Sequence, residues 1–126
     1  MIVNLIKTEE LIFYNPRAKP IHSNPPLLNI ERVTSAKLLG IYMQSNFSCD
    51  IHFNYIMTVS SQRLHILKVL KRQGFNLEML HNVFYAIIVS KITYAISSWY
   101  CFLVKAQIAQ INGLFKRAFR LQVNIC

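Results

Sequence analysis

The segments DIHFNYIMTVSSQRLHILKVLKRQGF (residues 50–75) and NLEMLHNVFYAIIVSKITYAISSWYCFLV (residues 76–104) decide how this chain is read. In the first, Ile56, Val59, Leu67 and Leu70 share one helix face. Asn54, Thr58, Ser61, His65, Lys68 and Arg72 step along the other. That is an amphipathic helix, spanning residues 48–74. Ser48 or Asp50 supplies an oxygen for its free N–H groups. Lys68, Lys71 and Arg72 fall in the last turns, where cations oppose the negative end of the helix dipole, and Gly74 is a natural C-cap.

The second segment has Asn76 as N-cap, Glu78 in the first turn, and Phe75 and Leu80 placed for a hydrophobic staple. From Val83 to Val104 its single formal charge is Lys91. A helix apolar nearly all round belongs in a protein core or a membrane. Lys91, with Thr93, Tyr94, Ser97 and Ser98, argues for the core, so no stable membrane insertion is expected. Ser97-Ser98 is the expected bend. A third helix follows over residues 105–121. Ile108, Ile111, Phe115, Ala118 and Gln122 share a face, Lys116, Arg117 and Arg120 cluster at the end, and Gly113 weakens the middle.

Upstream, the pattern changes to short β-prone runs. Leu11 to Phe13 is one, and Leu28 to Val33 alternates as a second. Ala36 to Met43 is a third, interrupted by Gly40; a glycine inside a strand marks a bulge or the close approach of another backbone. Residues 15–26 hold four prolines among polar and basic neighbours and read as an exposed, mobile loop. The expected architecture is α+β: a short antiparallel strand set over residues 1–47, then a three-helix bundle over residues 48–126.

The net charge of +9 on 126 residues points to an anionic partner, nucleic acid or an acidic membrane surface. The competing explanation is a basic surface that only maintains solubility. Cys49, Cys101 and Cys126 have neither a disulfide-framework count nor zinc-site spacing, so a reducing, intracellular compartment, cytoplasmic or nuclear, is expected. Met1 to Ile6 is too short an apolar run for a signal peptide.

Two-metal polymerases and nucleases need paired carboxylates. Asp50 is the sole aspartate, and Glu9, Glu10, Glu31 and Glu78 are scattered, so no catalytic or metal residue is assigned. His52, His65 and His81 have no metal-ligand pattern, and no GxSxG or phosphate-binding glycine loop is present. The basic clusters carry the stronger signal, because Lys68, Lys71, Arg72, Lys116, Arg117 and Arg120 can neutralise phosphates. Tyr85, Tyr94, Trp99 and Tyr100 are candidates to stack on bases, with Trp99 better placed in a core.

The order of these elements resembles the C-terminal part of reverse transcriptases from non-LTR (LINE-type) retrotransposons. Asn4-Leu5-Ile6-Lys7-Thr8-Glu9, with Phe13 beyond, looks like the family's N-x-x-K-T-E…F palm motif. Lys37-Leu38-Leu39-Gly40-Ile41 is similar to its primer-grip strand. Arg63-Leu64 with Leu67, Lys71 to Gly74, Val83 to Ala86, Tyr94-Ala95 with Trp99, and Phe115 to Ala118 resemble its thumb. The resemblance implies the end of a palm followed by a thumb, in a retrotransposon enzyme making DNA on an RNA template. It implies that Lys7 lies near the incoming nucleotide's phosphates, that Lys37 and Gly40 lie where the primer backbone passes, and that the helical cations hold an RNA/DNA duplex. The paired aspartates and fingers are expected upstream, so this stretch is not an enzyme by itself. No cofactor is expected in it; magnesium belongs to the complete polymerase, whose palm and fingers are the implied partners. The thumb-like segments also resemble a short domain assigned to AlkB-type dioxygenases, but no His-x-Asp pair is present for iron. The alternatives are a structural or membrane-associated helical protein, or a decayed reading frame.

Overall fold

A computed structural model describes residues 2–18 and 25–123. The chain is α+β, and it divides into two compact units, residues 1–52 and 53–126. Residues 19–24 of the proline-rich segment lie outside the described residues.

The first unit begins with a single 3₁₀ turn, Leu5–Lys7. Asn4 Oδ1 accepts the Ile6 N–H at 3.1 Å, and the Thr8 hydroxyl donates to the Asn4 carbonyl at 2.8 Å. Strand β1 (Glu9–Leu11) pairs with β2 (Glu31–Val33), and β3 (Ser35–Leu38) with β4 (Ile41–Gln44). The β3–β4 pair is antiparallel, as the sequence suggests; β1–β2 is parallel. Glu10 lies opposite Arg32 in that parallel register, and the guanidinium meets the carboxylate at 2.8 Å.

The expected third strand is a hairpin. Leu38 faces Ile41, leaving Leu39 and Gly40 as a two-residue loop with φ of 49° and 85°. Positive φ at both central residues defines the type I′ turn that matches the twist of paired strands. Gly40 is there for backbone conformation, so the bulge reading is corrected: a helix-or-strand pattern does not distinguish a glycine inside a strand from one at its reversal.

Helix α1 spans Asp50–Arg72. Its start is held by more than the expected cap. Ser48 Oγ accepts the Asp50 N–H at 3.3 Å, and Gln44 Oε1 accepts the Ile51 N–H at 3.1 Å. The Tyr42 N–H, directed away from β3 because the Lys37–Tyr42 pair is of the non-hydrogen-bonded kind, reaches His52 Nδ1 at 3.4 Å. These bonds draw the first turn of α1 into the N-terminal unit, so the division falls at His52 and not before Ser48. Burial and the neighbouring Asp50 charge push the Cys49 thiol pKa up.

In the second unit, α1 buries Phe53, Ile56, Ser60, Leu64 and Leu67, at steps of three or four residues. The six polar residues expected on its opposite face are all exposed. Its end is a Schellman motif: the Phe75 N–H reaches the Leu70 carbonyl, the Gly74 N–H reaches that of Lys71, and Gly74 sits at φ 91°. Asn76 Oδ1 then accepts the Met79 N–H at 2.8 Å and opens α2 (Leu77–Phe84).

The helix expected over residues 76–104 is not one rod. Helix α2 runs into a π turn, Tyr85–Val89, and then α3 (Ser90–Thr93). In the π turn the Ser90 N–H bonds the Tyr85 carbonyl, five residues back. The Ala86 carbonyl it forgoes is taken by the Ser90 hydroxyl, and the Ile87 carbonyl accepts from Arg63 on α1. The break falls at Tyr94-Ala95, where Ala95 is left-handed with φ 47°, and not at Ser97-Ser98. A left-handed non-glycine residue costs roughly 1–2 kcal/mol. The buried Trp99 offsets this: its indole N–H donates to the Tyr94 carbonyl at 3.2 Å from α4 (Ile96–Trp99). A 3₁₀ turn, Tyr100–Phe102, leads to α5 (Lys105–Val123). Gln107 reaches back to accept the Val104 N–H at 3.0 Å, the glutamine half of a capping box. Leu80, Phe84, Ile88, Ile92 and Trp99 join Leu114 and Ala118 in the core. Phe84 and Phe115 meet edge to face, with ring centroids 6.1 Å apart.

Candidate nucleic-acid interface

Charge is divided unevenly between the units. Residues 53–126 carry nine Lys and Arg against one acid, Glu78, a net of +8; residues 1–52 carry five against four, a net of +1. The second unit therefore has almost no internal counter-charge for its cations.

Two helices bring part of that charge together. Lys68 and Lys71 are one turn apart on α1, and Arg117 and Arg120 one turn apart on α5. All four line an open groove of about 300 Å³, together with Ser61, Leu64, His65 and Leu121. The groove exists because Leu64, Leu67, Leu114 and Ala118 pull the apolar stripes into the core, leaving the residues one position round each helix facing outward along the seam. Lys71 has a second task. Its ammonium donates to the Leu121 carbonyl, in the last turn of α5, where the helix dipole favours a cation. That bond clamps the end of α1 to the end of α5. Lys68, Arg117 and Arg120 are exposed.

The remaining site residues fall elsewhere. Arg72 is exposed but does not line the groove. Lys116 lies on an adjoining shallow surface with Phe115, Phe119 and Arg120. Lys7, Lys37 and Gly40 belong to the other unit. Lys7 is exposed at the end of the 3₁₀ turn, Lys37 Nζ lies 5.3 Å from the Tyr42 ring centroid, and Gly40 is in the hairpin turn. Of the aromatic candidates, Tyr85, Tyr94 and Tyr100 are exposed and Trp99 is buried. Lys91, whose charge interrupts the apolar segment, stands 4.9 Å from the centroid of Tyr55 on α1.

Phe119 was not among the sequence candidates. It is 64% exposed beside Lys116 and Arg120. The sequence did not signal this: Phe119 follows Ile111 and Phe115 at steps of eight and four and so shares their expected face, whereas the packed helix buries Gln107, Leu114 and Ala118 and leaves Phe119 outside. Among the described residues no group of three His, Cys, Asp or Glu gathers to hold a metal ion. Comparison with protein-family models, curated proteins and solved structures found no match.

Proposed function

We propose that this chain binds the sugar–phosphate backbone of a nucleic acid, as palm-end and thumb-like parts of a retrotransposon reverse transcriptase would hold an RNA/DNA duplex. The convergence of Lys68, Lys71, Arg117 and Arg120 from two helices in one solvent-open groove carries this reading. Cations so placed displace the counterions condensed on a polyphosphate. The mechanism is phosphate neutralisation and positioning, without bond making; the residues between Met1 and Cys126 include no aspartate pair for two-metal chemistry. Titration of a primer–template duplex at several salt concentrations tests it. Binding is expected at low salt, with log affinity falling linearly against log salt by roughly 0.9 per phosphate neutralised. Affinity that is absent at low salt, or indifferent to salt, removes the reading.

A second reading has its own observation. Leu77–Phe102 is long and apolar enough to cross a membrane, and 22% of its apolar window is buried. Association of the chain with liposomes, together with indifference to nucleic acid, would favour a membrane-associated helical protein.

A further inference from the structure

Arg120 belongs to two surfaces at once. It lines the phosphate groove with Arg117, and it lines the adjoining shallow pocket with Phe115, Lys116 and Phe119. Helix geometry explains the sharing. At about 100° per residue, the order around α5 is Phe115, Phe119, Lys116, Arg120, Arg117, Leu121. An exposed aromatic ring, two bridging cations and the groove therefore form one continuous track across the helix.

We propose that this track takes an unpaired nucleotide, its base stacked on Phe119 and its phosphate held by Arg120 at the edge of the groove. The inference rests on the phosphate reading of that groove and names the preferred ligand as single-stranded nucleic acid or the overhang of a duplex. Three features point there. Phe119 presents most of its surface to solvent at a position where a polar residue would hide nothing from the core. Beside it lie Phe115 and two cations, Lys116 and Arg120, and the cations are the complement of a phosphate. The pocket is shallow and open and shares Arg120 with the groove, so a planar base reaches the ring while its strand continues across the helix into the groove. Base–aromatic stacking is sequence-tolerant, so the track distinguishes paired from unpaired bases and not one base from another.

An abasic oligomer separates the two contributions, because it keeps the phosphates and removes the bases. By fluorescence anisotropy at low salt, the wild-type chain is expected to bind a short oligothymidylate about tenfold more tightly than an abasic oligomer of equal length. Phe119→Ala erases that preference and leaves the abasic affinity unchanged. Phe119→Trp keeps it, and Phe119→Leu, which retains apolar area without a π face, loses it. Arg120→Ala weakens both ligands. Equal wild-type binding of the two oligomers, or a preference that survives in Phe119→Ala, overturns the stacking track and leaves the groove reading standing. Failure of both oligomers and the duplex to bind at low salt overturns the two together. Capture of anionic phosphatidylserine vesicles through Phe119, with no oligonucleotide binding, also overturns the track and assigns the ring to a lipid surface.

Discussion

Among the described side chains of residues 1–52, Cys49 and His52 are buried, whereas residues 53–126 bury a regular stripe on each of three helical segments. The first unit has strands of three or four residues, too short to enclose a core, and it leaves Ile6, Leu28 and Leu39 almost fully exposed. It is held by polar bonds, some local and some not: Asn4 and Thr8 around a turn, Glu10 to Arg32, Gln44 and His52 at the start of α1. The second unit is held by packing and carries nearly all the net charge. A unit with its own core can afford to gather like charges on one seam, because hydrophobic burial offsets their repulsion. A unit without one has cations paired or set singly, as Arg32 and Lys7 are.

Core substitutions probe that contrast most strongly. Leu114→Ala, at a fully buried site, is expected to lower stability by about 2–5 kcal/mol, read as a shift in the helical melting transition. Leu38→Ala, on an exposed position of β3, should change it by less than about 0.5 kcal/mol. Comparable losses from both would mean that the first unit has a hydrophobic core after all, and the comparison would fail.

Charge substitutions come next. Replacing Lys68 and Arg117 together by alanine should reduce the slope of log affinity against log salt by about two for a primer–template duplex, since each contact releases its own counterion. The pair Lys7→Ala and Lys37→Ala should reduce it less. An equal loss from the second pair would show that phosphate binding is shared across both units, as the polymerase resemblance implies for a complete enzyme.

Two glycines give the smallest effects, of opposite sign. Gly74→Ala places a side chain at φ 91° and should cost about 1 kcal/mol, although no atom lies within 4 Å of the added carbon. Gly113→Ala, in the middle of α5 with equal room, should gain roughly 0.5–1 kcal/mol. Denaturant melts of both variants check the signs; stabilisation by Gly74→Ala would refute the C-cap.

Legibility in the sequence followed the range of the interactions. Asn76 and Gly74 were readable because caps are settled within a few residues, and the polar face of α1 was readable because periodicity is local. The break at Tyr94-Ala95 was not, since neither residue favours left-handed backbone; the compensating bond comes from Trp99, whose position depends on the core. Gly40 was seen as special, but its reading as a bulge was wrong, because turn and bulge share a residue preference. In the site, the six helical cations were legible as a set, but not their separation into four groove residues, Lys116 on a neighbouring surface, and Arg72 outside both.

By itself the sequence determined the α+β class, the three main helical stretches, the caps around residue 74, and a strongly basic C-terminal half. Tertiary structure alone decided which cations share a groove, that Lys71 clamps the end of α5, that Arg63 supports the π turn, and that Phe119 faces outward. The physical reason is one of distance along the chain. Propensity, capping and amphipathic spacing act over three or four residues, whereas Lys71 meets the Leu121 carbonyl across 50 positions and only the packed core brings them together.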